Sequence, residues 1–415
     1  MHACVVGTGV IGVTTARQLA QDGWQVTLVD AATEPAAGTS HANGGQLSYR
    51  YVAPLAEPDA LRDLPRWLFN PRSPLRFRPR LDVQQWRWCL QFLMACNAKT
   101  AARTTHALLA LAELSRQSLA TLQAREPVDF SHRSNGKLIV YRSRKRLDKA
   151  RKHLDSDAGD VTQRIVDAGA CVELEPALAP VRNAIAGAVY TPGEEVGDCL
   201  AFTQGLFERL ARSSSVTLRM NTRVARLERQ AGRIRQILTT DGEPLAADHF
   251  VMAAGNGSQR LLAPLGVNAG LYPLVGYSLS VPPGQDRTPA ISVTDYERRT
   301  VYARLGTTLR VAAMVGIGVR SDRVDPGRIA LLKRQVNELL PHLELAHAQA
   351  WVGARPATAS GLPLVGRTQA AGNLWMNTGH GALGFTLACG SASLLASLMR
   401  EQDPAVDPSA FRPSF

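Results

Sequence analysis

Apolar positions along the chain change rhythm several times, and each rhythm predicts an element. Residues 3–6, ACVV, form an unbroken apolar run of the kind that a parallel strand buried on both faces requires. A helical spacing then continues to about Ala20, and WQVTLVD gives a second short strand closing at Asp30. LYPLVGYSLSV (271–281) and YARLGTTLRVAAM (302–314) read as strands of an antiparallel sheet, the latter folded at a Gly-Thr turn. Between Val83 and Ala124 the pattern is helical, with Trp86, Leu90 and Leu93 on one face. Ordinary core packing is the expected use of that stripe.

From Gly381 to Met399 no residue is charged. A membrane span needs about 20 strongly apolar residues, whereas this run holds Gly381, Gly384, Gly390, Thr386 and three serines. A helix from about Ala382, buried inside a globular domain, is the better reading. The glycines around His380 leave bare backbone at its N-terminus, where something must come close.

Composition changes this picture little. At 415 residues the chain suits two domains, and 45% hydrophobic residues supply an ample core. The net charge of +12 is mostly arginine, since only six of the 47 basic residues are lysines. Such a bias can attract nucleic acid, an anionic membrane or acidic substrates, and charge alone does not separate them. The six cysteines show no CxxC and no metal-ligand spacing with histidine, so they are expected to be reduced intracellular thiols, and no metal site is expected. MHACVVGTG lacks a basic leader and reads as a strand, not a signal peptide.

The chemistry begins at Gly7-Thr8-Gly9-Val10-Ile11-Gly12. Strand before, helix after and an acid at the end of the second strand make this a dinucleotide-binding βαβ unit. Gly7 allows the tight turn, Gly9 lets backbone approach the pyrophosphate, and Gly12 lets helix and strand pack closely. Asp30 is placed to hydrogen-bond a ribose. Two later stretches distinguish FAD from NAD. GTSHANGGQLS (38–48) is small and polar, with Thr39, Ser40, Asn43, Gly44, Gly45, Gln46 and Leu47 able to lie flat against a ligand. DHFVMAAGNGS (248–258) ends a strand in Ala254 and Gly255. With Gly379, His380, Gly381, Ala382, Leu383 and Gly384 near the end of the chain, contacts from three distant segments imply a long ligand held extended. FAD fits better than NAD.

With these pieces in place the sequence resembles the bacterial D-amino acid dehydrogenase small subunits, within the D-amino acid oxidase superfamily of flavoproteins. The matching stretches are GTGVIG, TSHANGGQ, LEPAL (174–178), GDCLAFT (197–203), YPLVGYSL (272–279), GARPATASGLPLVG (353–366) and NTGHGALGFTLACGS. The resemblance implies an α/β chain with a Rossmann-like FAD domain of the glutathione-reductase type, gathered from 1–55, 185–265 and 350–415. A discontinuous substrate domain built on an antiparallel sheet takes 56–184 and 266–349. Val224 joins the expected cofactor contacts.

Oxidising an amino acid at Cα needs a carboxylate anchor, a neutral amine and a hydride acceptor. Arg355 in GARPAT suits the anchor, because a guanidinium matches a planar carboxylate bidentately, and it corresponds to the carboxylate-binding arginine of the related glycine oxidase motif. Tyr277 is a second candidate for holding the carboxylate. His380 is expected to orient substrate or tune the flavin, not to serve as an obligatory base.

Three departures qualify the resemblance. Ser360-Gly361 stands where the family usually has Asp-Gly. Tyr49-Arg50-Tyr51 replaces the usual continuation after the GGQLS loop, so Tyr49 and Tyr51 are expected at a pocket that would admit an acidic or cyclic imino substrate such as D-proline or D-hydroxyproline. The GARPAT loop lacks the cysteine that tethers flavin in some sarcosine oxidases, so the FAD should be noncovalent. The family relationship implies electron delivery to a quinone or another carrier, with an oxygen-using amine oxidase as the alternative. It also implies a cytoplasmic enzyme peripheral on the inner face of the cell membrane. The run 61–82, where arginines interleave Trp67, Phe69 and Phe77, reads either as a contact with anionic lipid or as a solvated, arginine-rich loop shielding the substrate pocket. No nucleic-acid fold signature accompanies it, and no nucleic-acid partner is expected.

Overall fold

A computed structural model describes residues 1–62, 70, 73–156, 162–282 and 288–413. Six strands form the first sheet in the order Val216–Arg219, Gln25–Val29, His2–Val6, His249–Met252, Leu374–Thr378 and Leu364–Arg367. The first five run parallel and the last antiparallel. Alternate residues of the first strand go to opposite cores. Ala3 and Val5 join Val251 under the helix layer, while Cys4 and Val6 join Phe250 and Met252 under a three-stranded meander, Val224–Gln230, Arg233–Thr239 and Pro244–Ala246. Burial on both faces is why these strands read as continuous apolar runs.

The uncharged run is the central helix of that layer. A 3₁₀ turn, Gly381–Leu383, precedes Gly384–Met399, so the α-helix starts two residues later than expected. Twelve of its 16 residues are buried. It crosses the helix Ala98–Arg125 closely at Gly390, where a Cβ would lie 2.7 Å from the Leu111 carbonyl oxygen.

The second sheet is mostly antiparallel and runs Gln349–Ala357, Tyr272–Val281, Thr308–Ile317, Thr300–Leu305, Ser292–Asp295, Lys137–Tyr141, Gly187–Thr191 and Arg164–Asp167, with Leu75–Phe77 pairing beside Thr308–Ile317. The expected strands at 271–281 and 302–314 are present, turning at Gly306-Thr307. Gly187–Thr191 and, from residue 350 onward, Gln349–Ala357 fall in segments expected in the FAD domain, and both hydrogen-bond into this sheet. Nine register pairs with Tyr272–Val281 hold the latter in place. One face of the sheet packs on helix Pro326–Leu339 through Val336, Leu339 and Leu332. Glu175 of the LEPAL motif ties this layer down, its carboxylate accepting backbone N–H groups from Ala177, Ala290 and Ile291.

The helical stretch after Val83 divides into Val83–Ala95 and Ala98–Arg125, the second capped by Asn97 accepting from the Thr100 N–H. Here the sequence expectation is corrected. Trp86, Leu90 and Leu93 are 50%, 60% and 44% exposed, because the helix buries its other side, Gln85, Trp88 and Ala95. Trp88 donates its indole N–H to the Ala357 carbonyl, which fixes which face looks inward. Arg66, Trp67, Leu68, Phe69 and Arg72 of the run 61–82 lie outside the described residues.

Candidate active site

Between the two sheets lies a cavity of about 2590 Å³. Gly7, Gly9, Val10, Ile11 and Asp30 line one end of it, with Thr39, Ser40, Asn43, Gly44, Gly45 and Gln46 along one wall. Val224, Ala254 and Gly255 and the run Gly379–Gly384 line it too. Three segments remote in sequence thus meet around one space. Gly12 and Leu47 do not reach it: Gly12 supports the cradle from behind, and Leu47 is a core residue.

The cradle is shaped for a group that must touch backbone. Gly7 has φ +116°, a conformation that side chains avoid. A Cβ on Gly12 would stand 1.8 Å from the Gly7 carbonyl oxygen, so the turn closes only over glycine. Helix Val10–Gln21 begins at Gly9 without a side-chain cap, and of its first N–H groups Val10 donates to Ser40 Oγ at 3.0 Å. The helix end thus carries N–H donors and a positive dipole toward the cavity. Asp30 has a double task. Its Oδ2 accepts from the Thr8 N–H (2.7 Å) and hydroxyl (2.9 Å) and its Oδ1 from the Ala32 N–H, which leaves acceptor capacity for a ribose hydroxyl. At the far end Asn377 donates to Thr15 Oγ1, while its buried Oδ1 has no partner among the described residues; His380 Nε2 is buried and unpartnered likewise. A cradle only glycine can close, an uncapped helix end and orphaned polar atoms fit an extended FAD.

Arg355 is built into the same space by three local devices. It sits on the strand Gln349–Ala357 opposite Leu274, which turns it toward the cavity. Next to Leu274's register pair, Gly276 vacates the volume the guanidinium occupies: a Cβ there would lie 2.3 Å from Arg355 Nη2. Across the sheet an extra residue enters the partner strand between Ala313 and Gly316. Met314 takes φ +72° there, and its carbonyl accepts from Arg355 Nη1 at 3.1 Å. Arg355 forms no ion pair among the described residues, and burial pulls its pKa down. Arg355 is half-buried, so a guanidinium without a counter-ion there carries a desolvation cost, and an anionic ligand relieves it.

The other expected catalytic side chains separate. Strand alternation sends Tyr277 to the face opposite Arg355, where it packs with Val275, Leu279 and Val336 in the core. It also borders the cavity, from the face opposite the Arg355 guanidinium. Tyr49 is buried in the other core and donates to Glu195 Oε2 at 3.1 Å, away from the cavity. Tyr51 does line the cavity, its ring beneath the Lys137 ammonium at 4.6 Å.

Lys137 is the functional-site residue that sequence reading missed. It is buried on the strand Lys137–Tyr141, and its Nζ donates to Ser48 Oγ at 2.7 Å and Gln46 Oε1 at 3.1 Å. A donor-only ammonium fixes the Gln46 amide, whose Nε2 then donates to Ser292 Oγ at 2.6 Å. Burial lowers the Lys137 pKa to about 8, and Glu194 opposes that shift. In sequence this is one lysine in an ordinary strand, with no motif to mark it.

His380 sits where the strand Leu374–Thr378 gives way to the 3₁₀ turn, and burial lowers its pKa to about 3. Its ring is therefore neutral at working pH, which suits a hydrogen-bonding role and not that of a cationic acid. The stability consequence has a definite sign. Between the ordinary value of 6.5 and about 3 the unfolded chain takes up a proton that the folded chain refuses. Stability from this site is present above pH 6.5 and falls on acidification by up to about 1.4 kcal/mol per pH unit. Urea unfolding of wild type and His380→Asn should show a smaller acid-side loss in the variant; parallel pH curves would contradict the assignment.

Comparison with known proteins agrees with this geometry. The family described as FAD dependent oxidoreductase, DAO, matches residues 2–398. The chain is 47% identical over 418 residues to "D-amino acid dehydrogenase 2" of Ralstonia nicotianae, covering 98% of each. It is 44% identical over 415 residues to the protein of the same name in Pseudomonas aeruginosa, covering 99% of this chain and 98% of that one. Among solved structures, glycine oxidase from Geobacillus kaustophilus superposes with a TM-score of 0.77 at 22% identity, over 99% of this chain and 98% of that one. Iminodiacetate oxidase from Chelativorans sp. gives 0.75 at 24%, over 99% and 98%. These two show a shared fold. Cradle, cavity and sequence relationship together establish that the chain belongs to the DAO family of FAD-dependent oxidoreductases.

Proposed function

We propose that the chain is a dehydrogenase of D-amino acids, including cyclic imino acids, that passes electrons to a quinone or similar carrier. The observation that carries this reading is Arg355, half-buried and without an ion-pair partner among the described residues, in the cavity that the FAD cradle opens into. The family relationship supplies the flavin, and the names of the relatives support the D-amino acid. Noncovalent FAD, when bound, supplies the two-electron acceptor for the hydride leaving Cα.

The rest falls to the chain. Arg355 binds the substrate carboxylate, and Gly276 and the Met314 carbonyl keep its guanidinium in one orientation. His380, neutral and buried, offers a ring nitrogen for a hydrogen bond without adding charge. Gln46, held by Lys137, and Tyr51 form the wall that meets the substrate side chain. The substrate's amine must lose its proton before the hydride leaves. The resulting imino acid then takes up water and gives a 2-oxo acid and ammonia, or ring-opens or remains an imine where the nitrogen is in a ring.

Turnover of matched D and L amino acids, followed with a quinone-like dye and separately by oxygen uptake, tests the reading. D-selective dye reduction with little oxygen uptake is expected. L-selectivity would overturn the substrate assignment, and oxygen uptake as fast as dye reduction would make the protein an oxidase.

A further inference from the structure

Two non-glycine residues take left-handed backbone side by side in the second sheet. The ladder between Thr300–Leu305 and Thr308–Ile317 ends at the pair Thr300 and Ala313. The next residues on the two strands are Arg299, at φ +51°, and Met314, at φ +72°. Such conformations are uncommon outside glycine and persist where the surroundings over-determine them. Met314 gives its carbonyl to Arg355, and Arg299, half-buried, lines the same cavity.

The turn that carries Arg299 is clamped from behind. Asp295 is fully buried and accepts from Arg142 Nε at 3.0 Å and Nη2 at 2.8 Å, while its other oxygen accepts the Arg298 N–H. Glu297 accepts the N–H groups of Arg142 and Ser143. Tyr296 stacks on Tyr141 with ring centroids 4.6 Å apart, and guanidiniums lie over its ring at 4.8 Å (Arg299) and 5.7 Å (Arg146). With these neighbours on the ring, the turn offers a ligand N–H donors and not an open aromatic slot. A stacked guanidinium keeps its edge for an oxygen anion.

The surrounding wall is basic. Helix Arg144–Ser156 brings Arg144, Lys145, Arg146, Lys149 and Lys152 to the cavity, with Asp148 as its own acid there. Across from it, Asp59 pairs with Lys149, and burial pushes the Glu57 carboxyl up against the pull of Arg299. Spacing fits a second carboxylate. Three strand steps, about 14 Å of backbone, separate Arg355 from Arg299. Arg355 covers part of that by reaching across Gly276 to the Met314 carbonyl. An acidic amino acid holds its two carboxylates about 4–5 Å apart, and with a contact of about 3 Å at each end it bridges roughly 10 Å.

We infer that Arg299 holds the side-chain carboxylate of the substrate, so that acidic D-amino acids are oxidised in preference to neutral ones of the same size. The inference rests on the D-amino acid reading and on Arg355 as the α-carboxylate anchor.

Dye-reduction assays test it, comparing kcat/KM for D-glutamate, D-glutamine and D-alanine in FAD-loaded wild type and Arg299→Asn. Asparagine tolerates φ +51°, so the variant should fold and keep its flavin. Wild type should prefer D-glutamate to its neutral isostere D-glutamine by about tenfold or more, and Arg299→Asn should lower the D-glutamate-to-D-alanine ratio on the order of a hundredfold. Arg299→Lys, which keeps the charge without the planar fork, should fall between them. Equal use of D-glutamate and D-glutamine by wild type would overturn the inference, as would an unchanged ratio in Arg299→Asn; D-alanine turnover would then leave the D-amino acid reading standing. No turnover of any D substrate would overturn both.

Discussion

Arg355→Ala should lower kcat/KM for a D-amino acid by roughly thirty- to several thousand-fold, while flavin content stays near that of wild type. The lost contact is charge-assisted and partly desolvated, and truncating such a partner costs about 2–5 kcal/mol. Arg355→Lys should recover little, because an ammonium cannot reproduce the planar fork. A second variant separates the side chain from its position. Gly276→Ala places a Cβ 2.3 Å from Arg355 Nη2, and the flexible guanidinium must move aside. Gly276 has no positive φ, so the backbone accepts alanine without strain there. Gly276→Ala should therefore imitate Arg355→Ala in steady-state kinetics with little loss of stability. Normal kcat/KM in either variant would show that the carboxylate is held elsewhere.

The second large effect falls on cofactor retention. Gly12→Ala should yield a protein that purifies nearly colourless, whereas wild type should be yellow and release its FAD to the supernatant on acid precipitation. The atom in the way is the Gly7 carbonyl oxygen at 1.8 Å, part of a turn that has no freedom to retreat. Gly7 is itself held by its N–H to the Val29 carbonyl and by its approach to Ala253. Overpacking of this kind costs about 1–3 kcal/mol when neighbours can yield; here the turn gives way and the helix N-terminus loses its aim. Loss of bound FAD also removes the stabilisation that a ligand confers by mass action, so thermal unfolding should move down. Flavin in Gly12→Ala equal to wild type would contradict this account of the cradle.

Much of the cofactor site was legible because glycine-rich turns after strands report backbone approach, which is a local property. Gly7, Gly9, Ser40, Gly255 and Gly381 all come to the cavity as their surroundings implied. Arg355 was legible from its motif. What stayed hidden depends on partners far away in sequence. Alternation in YPLVGYSL distinguishes two faces, yet only the helix Pro326–Leu339 packed behind the sheet shows which face Tyr277 takes. The stripe Trp86, Leu90, Leu93 is correctly helical, but period alone does not say whether anything covers it; Trp88 bonding to Ala357 decides that it faces out. Lys137 and the bulge at Met314 belong to pairings made only when the second sheet assembles. The sheet that Gly187–Thr191 and Gln349–Ala357 join stayed hidden for the same reason, since hydrogen-bond partners and not chain neighbours place them.

In the proposed reaction one cavity brings a D-amino acid, anchored by Arg355, to a bound flavin. Anaerobic addition of D and L amino acids to the purified yellow protein, followed by its visible absorbance, tests this most directly. D substrates should bleach the flavin within the dead time of manual mixing, L isomers should leave it yellow, and Arg355→Ala should keep its colour but bleach far more slowly. Flavin that neither isomer bleaches, or that bleaches as fast in Arg355→Ala as in wild type, would contradict it.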